Sequence, residues 1–239
     1  MIKQKINFII LLTLLCSMVY AQTGLNQFDE SGKRHGKWSK NYKSTDQIRY
    51  EGNFDHDKEV GLFKFYKLAN GKSVLSATKL FSKDSDLVEV KFFASTGKVI
   101  SEGKMKGKSF IGKWVYYHNK SDAVMTIEHY NDNGQLNGEK VIYFKNGKEA
   151  EKMTYKDGKI DGVANWYSES GQLLRTSAYV NGELHGQSKY YDASGNITAE
   201  GVYQRDRKHG IWKFYENGKF KEEKDFTRRS KNPKLQKKQ

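Results

Sequence analysis

One glycine recurs along this chain at an almost constant interval: Gly36, Gly61, Gly112, Gly138, Gly162, Gly186 and Gly210. The last three intervals are 24 residues each, and the earlier ones are 25, 51 and 26. A period of this length belongs to arrays in which each unit packs only on its neighbours. The chain must therefore stack copies of one small supersecondary element. The interval of 51 spans two units. Its empty slot falls at Asp86, in a degenerate third copy, which makes about eight units.

The residues after each glycine identify the copied element. Two positions on stand Trp38, Phe63, Val88, Trp114 and Trp212. Four positions on stand Phe65, Val90, Tyr116, Ile142, Trp166, Tyr190 and Phe214. Five positions on stand Tyr66, Tyr117, Tyr143, Tyr167, Tyr191 and Tyr215. Offsets two and four share one face of an extended strand and offset five points to the other, so the pattern is that of a strand and not of a helix. A second glycine comes next at Gly71, Gly97, Gly147, Gly171, Gly195 and Gly218, and then a second extended run ends in Tyr155, Tyr179 or Tyr203. Asn70-Gly71, Asn133-Gly134, Asn146-Gly147, Asp157-Gly158, Asn181-Gly182 and Asn217-Gly218 supply the positive φ that tight hairpin turns need. Each unit reads as strand, turn, strand, turn. The fold class expected is all-β, an elongated antiparallel sheet of about eight stacked β-hairpins, and the repeat glycines are assigned to positive-φ turn positions.

The segments from Tyr155 to Gly162 followed by Trp166-Tyr167, and from Tyr179 to Gly186 followed by Tyr190-Tyr191, resemble MORN repeats. More closely, they resemble the bacterial MORN-variant family labelled YwqK-type antitoxin. The resemblance covers roughly residues 28 to 226. It departs from the pattern at Asp86 and around residues 119 to 122, where no turn glycine stands. It implies a stacked-hairpin scaffold that binds another macromolecule, and a toxin-neutralising partner as its sharpest form.

The two ends differ from the array. Lys3 and Lys5 precede an apolar run from Ile6 to Leu15, and Val19-Tyr20-Ala21 fits a cleavage site, so residues 1–21 read as a signal peptide cut between Ala21 and Gln22. Export to the periplasm, outer surface or medium is the expectation. Cleavage removes Cys16, the chain's one cysteine, leaving no disulfide or cysteine metal site. The net charge of +14 falls to +12 without the two signal lysines. Arg228, Arg229, Lys231, Lys234, Lys237 and Lys238 account for six of those charges, leaving +6 on the array, residues 22–227. Residues 228–239 form a basic tail, a candidate contact for anionic lipid or envelope polymer. The modest charge of the array, and a tail without interleaved aromatics, argue against nucleic acid.

No phosphate loop, nucleophile elbow or dinucleotide fingerprint occurs, so the chain is expected to be no enzyme and to hold no cofactor. His35, His185 and His209 each precede a repeat glycine, which marks them as one repeated turn position whose copies do not converge. No metal site is expected from them. The tyrosines at offset five remain as the candidate binding face, since tyrosine combines an apolar ring with a hydroxyl. The expected partner is a protein.

Overall fold

The computed structural model describes residues 24–227. The signal-peptide reading of residues 1–21, its cut site, and the basic tail from Arg228 to Lys238 lie outside the described residues. Eighteen strands and no helix make up the described chain. It divides into two compact units, the first up to Ser85 and the second from Asp86.

The first unit holds β1 (Gln27–Phe28), β2 (Arg34–Asn41), β3 (Ile48–Asp55), β4 (Lys58–Ala69) and β5 (Lys72–Phe81). The second holds β6 (Leu87–Phe93), β7 (Val99–Lys106), β8 (Ser109–Tyr117), β9 (Val124–Tyr130), β10 (Gly138–Tyr143), β11 (Glu149–Lys156), β12 (Lys159–Ile160), β13 (Gly162–Tyr167), β14 (Leu173–Val180), β15 (Glu183–Tyr191), β16 (Ile197–Gln204), β17 (Arg207–Glu216) and β18 (Lys219–Asp225). Within each unit, strands pair antiparallel with their chain neighbours, except that β12 and β13 both pair with β11, and the sheet of neither unit closes on itself. Eight hairpins result: β2/β3, β4/β5, β6/β7, β8/β9, β10/β11, β13/β14, β15/β16 and β17/β18.

Both kinds of turn arise from local chemistry. Between repeats, paired positive φ at His56 and Asp57, Asp157 and Gly158, Asn181 and Gly182, and Arg205 and Asp206 gives two-residue turns that match the strand twist. Within β6/β7, β10/β11, β13/β14 and β15/β16, five-residue loops close on a glycine, as where Gly147 N donates to Phe144 O and Phe144 N to Lys148 O, while β4/β5 and β17/β18 turn through Asn70-Gly71 and Asn217-Gly218. A side chain often ties such a loop: Asp192 Oδ1 accepts from Ser194 N and Asn196 N, 2.9 Å each.

The register slips at the same point in all eight hairpins, between offsets four and five of the first strand, as at Phe65/Tyr66 and Trp166/Tyr167. The surplus residue sits on the second strand, for example Ser76, Met125 or Leu174. This bulge leaves the alternation of the first strand intact. Offsets two and four therefore form one face, and offset five the other.

The repeat glycines have positive φ, from 64° at Gly112 to 118° at Gly162. They do not, however, occupy the reversing turns. Each lies in or at the start of a first strand, where the pairing to the preceding repeat carries surplus residues, as between Glu102 and Lys104 or Glu200 and Val202. The slot in the third copy is also corrected. The repeat glycines up to Gly186 pair with an aromatic of their own second strand, among them Gly36 with Phe54, Gly61 with Phe81, Gly112 with Tyr130 and Gly162 with Tyr179. In the third copy the equivalent pair is Val88 with Met105, so Val88, not Asp86, holds the slot. Val90 and Phe92 then take offsets two and four.

The core lies on the offset-two face and is built from rings laid across the neighbouring strand. Trp114 and Trp212 are fully buried. Their indole nitrogens donate to Lys104 O at 2.9 Å and Val202 O at 3.0 Å, carbonyls of the bulged segments just before them. The rings cover Gly103 and Gly201, where an added Cβ would lie 2.5 and 2.4 Å from a ring atom. Phe110 stacks on Trp114 at 3.8 Å between centroids, and Tyr203 meets Trp212 edge-on at 5.0 Å. In the first unit Phe63 covers Gly52 in the same way and meets Phe54 and Phe81 edge-on, each at 5.2 Å. Such pairs add about 0.5–1.5 kcal/mol each beyond area burial.

Where the ring is absent, its underlying residue changes too. Ser188 faces Ser177 and donates to its hydroxyl oxygen at 2.9 Å, both fully buried. Ala164 lies opposite Met153 by register. Lys140 lies opposite Glu128, and their charged groups meet at 2.8 Å. The inner position is thus filled by ring on glycine, small on small, small on large, or cation on anion.

Candidate partner-binding face

The face opposite the rings carries the offset-five tyrosines, all of them half-buried. They are not equivalent. The Tyr66 hydroxyl donates to Glu51 at 2.7 Å, Tyr117 donates to Glu102, and Tyr215 donates to Glu200 at 2.8 Å. Each acceptor belongs to the second strand of the preceding repeat. A lysine completes the group: Lys64 on Glu51 at 3.2 Å, Lys91 on Glu102 at 2.8 Å and Lys189 on Glu200 at 3.5 Å.

These contacts shift the titration of both partners. Burial and the Glu51 carboxylate push Tyr66 up to about 12, and the Glu102 carboxylate followed by burial pushes Tyr117 up to about 12. Glu200 raises Tyr215. Glu51 is held below its usual range by the Tyr66 hydroxyl and then Lys64, and Glu102 by Lys91 and then Tyr117. Those three tyrosines therefore act as inter-repeat ties.

Tyr143, Tyr167 and Tyr191 differ. The register puts Ile127, Lys152 and Thr176 where the other copies have the acceptor glutamate. No side chain or carbonyl among the described residues accepts from their hydroxyls. They stand in three consecutive repeats, 24 residues apart, so roughly 10 Å separates one from the next across two strand spacings. Val163, about half exposed, lies at the other end of β13 from Tyr167. The result is a stripe of amphipathic rings with open hydroxyls in the middle of the second unit.

The histidines do not all stay apart. His118 Nε2 is 2.9 Å from Tyr143 O and His129 Nδ1 is 2.7 Å from Glu139 O, so both serve the backbone. His35 meets His56, a histidine outside that repeated position, at 5.1 Å between ring centroids. His56 reaches it because the tight turn after β3 folds back over β2. The pattern of the sequence also left Gly52, Gly103 and Gly201 unmarked, because they stand in second strands with ordinary φ. Their only signal was the large ring about eleven residues later.

These elements define a β-hairpin repeat protein with an open, exposed face and no deep cavity among the described residues. Its repeats at residues 160–181 and 184–205 match the family profile described as MORN repeat variant. Those copies carry Tyr167 and Tyr191. A search among curated proteins finds no match.

Proposed function

We propose that this chain is an exported, non-enzymatic scaffold that binds a protein partner through the stripe of Tyr143, Tyr167 and Tyr191. The observation that carries the reading is the difference among the six offset-five tyrosines. Three spend their hydroxyls on the preceding repeat, and three consecutive ones do not. Rigid amphipathic rings with open hydroxyls are what protein interfaces select. A repeat every 10 Å or so suits an extended partner segment better than a small molecule. The resemblance to the antitoxin-labelled family supports a neutralising partner as the finer form of this reading, and the pattern of residues 3–21 supports export.

The test is capture from the native organism with residues 22–239, followed by mass spectrometry, in parallel with two triple variants. A stoichiometric protein should be lost with Tyr143→Ala, Tyr167→Ala and Tyr191→Ala together. It should be retained with Tyr66→Phe, Tyr117→Phe and Tyr215→Phe. Equal retention by both variants rejects the stripe. Capture of anionic lipid alone, abolished by deleting residues 228–239, would replace this reading with attachment through the basic tail.

A further inference from the structure

We propose that Asp29, His35 and His56, with Asp55 at the rim, form a binding site for a single divalent transition ion of the zinc type in the first unit. One donor atom from each of Asp29, His35 and His56 lies within 4.8 Å of the others. His56 Nδ1 is 2.5 Å from Asp29 Oδ2. Asp55 Oδ1 lies 3.6 Å from His35 Nδ1 and 3.7 Å from His56 Nε2. Tetrahedral zinc with bonds of about 2.1 Å sets its donors roughly 3.4 Å apart. To reach this the His56–Asp29 pair, now at 2.5 Å, must open by about 0.9 Å while any wider donor pair closes. The His56 side chain, 62% exposed, is free to make this adjustment by turning.

The surroundings hold the donors as an ion would require. Asp29 Oδ1 accepts from Ser31 N at 2.8 Å and Lys33 N at 2.9 Å, which fixes the carboxylate and leaves Oδ2 aimed at the imidazoles. Asp55 Oδ2 is held by Lys83 at 2.8 Å, leaving Oδ1 between the two rings. The turn carrying His56 is pinned to β2 where Arg34 Nε donates to Asp57 Oδ1 at 2.6 Å. Outer contacts of this kind orient metal-ligating groups. Independently, His35 Nδ1 is the one buried side-chain nitrogen or oxygen among the described residues that makes no hydrogen bond. An imidazole nitrogen that is shielded and unbonded, with the Asp55 carboxylate 3.6 Å away, is a ready donor. Two imidazoles with carboxylates form a mixed nitrogen and oxygen set, which favours zinc over magnesium or calcium.

The experiment is calorimetric titration of ZnCl2 into the full chain at pH 7.5 in a non-chelating buffer. One equivalent should bind saturably and raise the thermal midpoint. His35→Gln and His56→Gln should each weaken binding on the order of tenfold or more. Asp29→Asn keeps an oxygen for the two loop amides while losing the charge, and should also weaken it. His185→Gln and His209→Gln should bind as the parent does, and circular dichroism should show all variants folded. Absence of saturable binding, or equal binding by a folded double variant of His35 and His56, overturns the site.

Discussion

At the scale of single residues, glycine is required here for two different reasons. Gly210 has a φ of 65° and open space where a Cβ would go, so its constraint is the backbone alone. Gly201 has ordinary φ, but a Cβ there would strike Trp212 at 2.4 Å. Gly210→Ala should cost about 1–2 kcal/mol through strain, whatever its neighbours. Gly201→Ala should cost about 1–3 kcal/mol through overpacking, and less in a background of Trp212→Ser. Urea denaturation of the four variants separates the two causes. The tyrosine ties give a pH test. The folded-state values of Tyr66 and Tyr117 are raised from 10 to about 12, so their contribution is complete below pH 10 and is lost as pH rises through 12. Glu51 and Glu102 are depressed, so theirs is present above the unfolded value near about 4.3 and is lost as pH falls through the lower folded value. Denaturation midpoints should therefore fall at both extremes. Tyr117→Phe should flatten the alkaline limb, and an unchanged limb would show that the tie contributes nothing to stability.

At the scale of the element, the repeated unit is a hairpin with two fixed irregularities. One surplus residue on the second strand keeps the two faces apart, and surplus residues around the repeat glycine let the next ring drop across the preceding strand. A deletion of Met125 should remove the bulge and leave Thr126 and Glu128 opposite Tyr116 and Trp114, whereas a deletion of Ile127 should force Thr126 or Glu128 toward the wrong face and cost more in equilibrium denaturation. The inner position is a matched pair, and this too is testable. Ser188→Trp alone should destabilise by about 1–3 kcal/mol, because the ring meets Ser177. Adding Ser177→Gly should return most of that loss by recreating the pairing seen at Gly201 and Trp212. Equilibrium denaturation of the cycle measures the coupling, and strict additivity would show that the pair does not interact.

At the scale of the whole molecule, an array of neighbour contacts should survive loss of one unit. Deleting residues 162–185 joins Asp161 to Gly186 and restores the same local motif. The product should keep its β-type circular dichroism, with a lower denaturation midpoint and a smaller dependence on denaturant. It should also bind a partner of the tyrosine stripe less tightly, since Tyr167 is gone. A collapse into aggregate or helix would refute neighbour-only packing. The sequence by itself determined the period, the number of hairpins, the alternation of faces and the positive φ of the repeat glycines. All of these rest on interactions within a few residues, and a period repeats such interactions visibly. Only the tertiary structure decided that Val88 holds the third slot, that Gly52, Gly103 and Gly201 lie under rings, that three tyrosines are tied and three are open, and that Asp29, His35 and His56 meet. Each of these depends on which residue stands across the sheet. Surplus residues in the bulges set that partner, and their effect on register cannot be read from spacing along the chain.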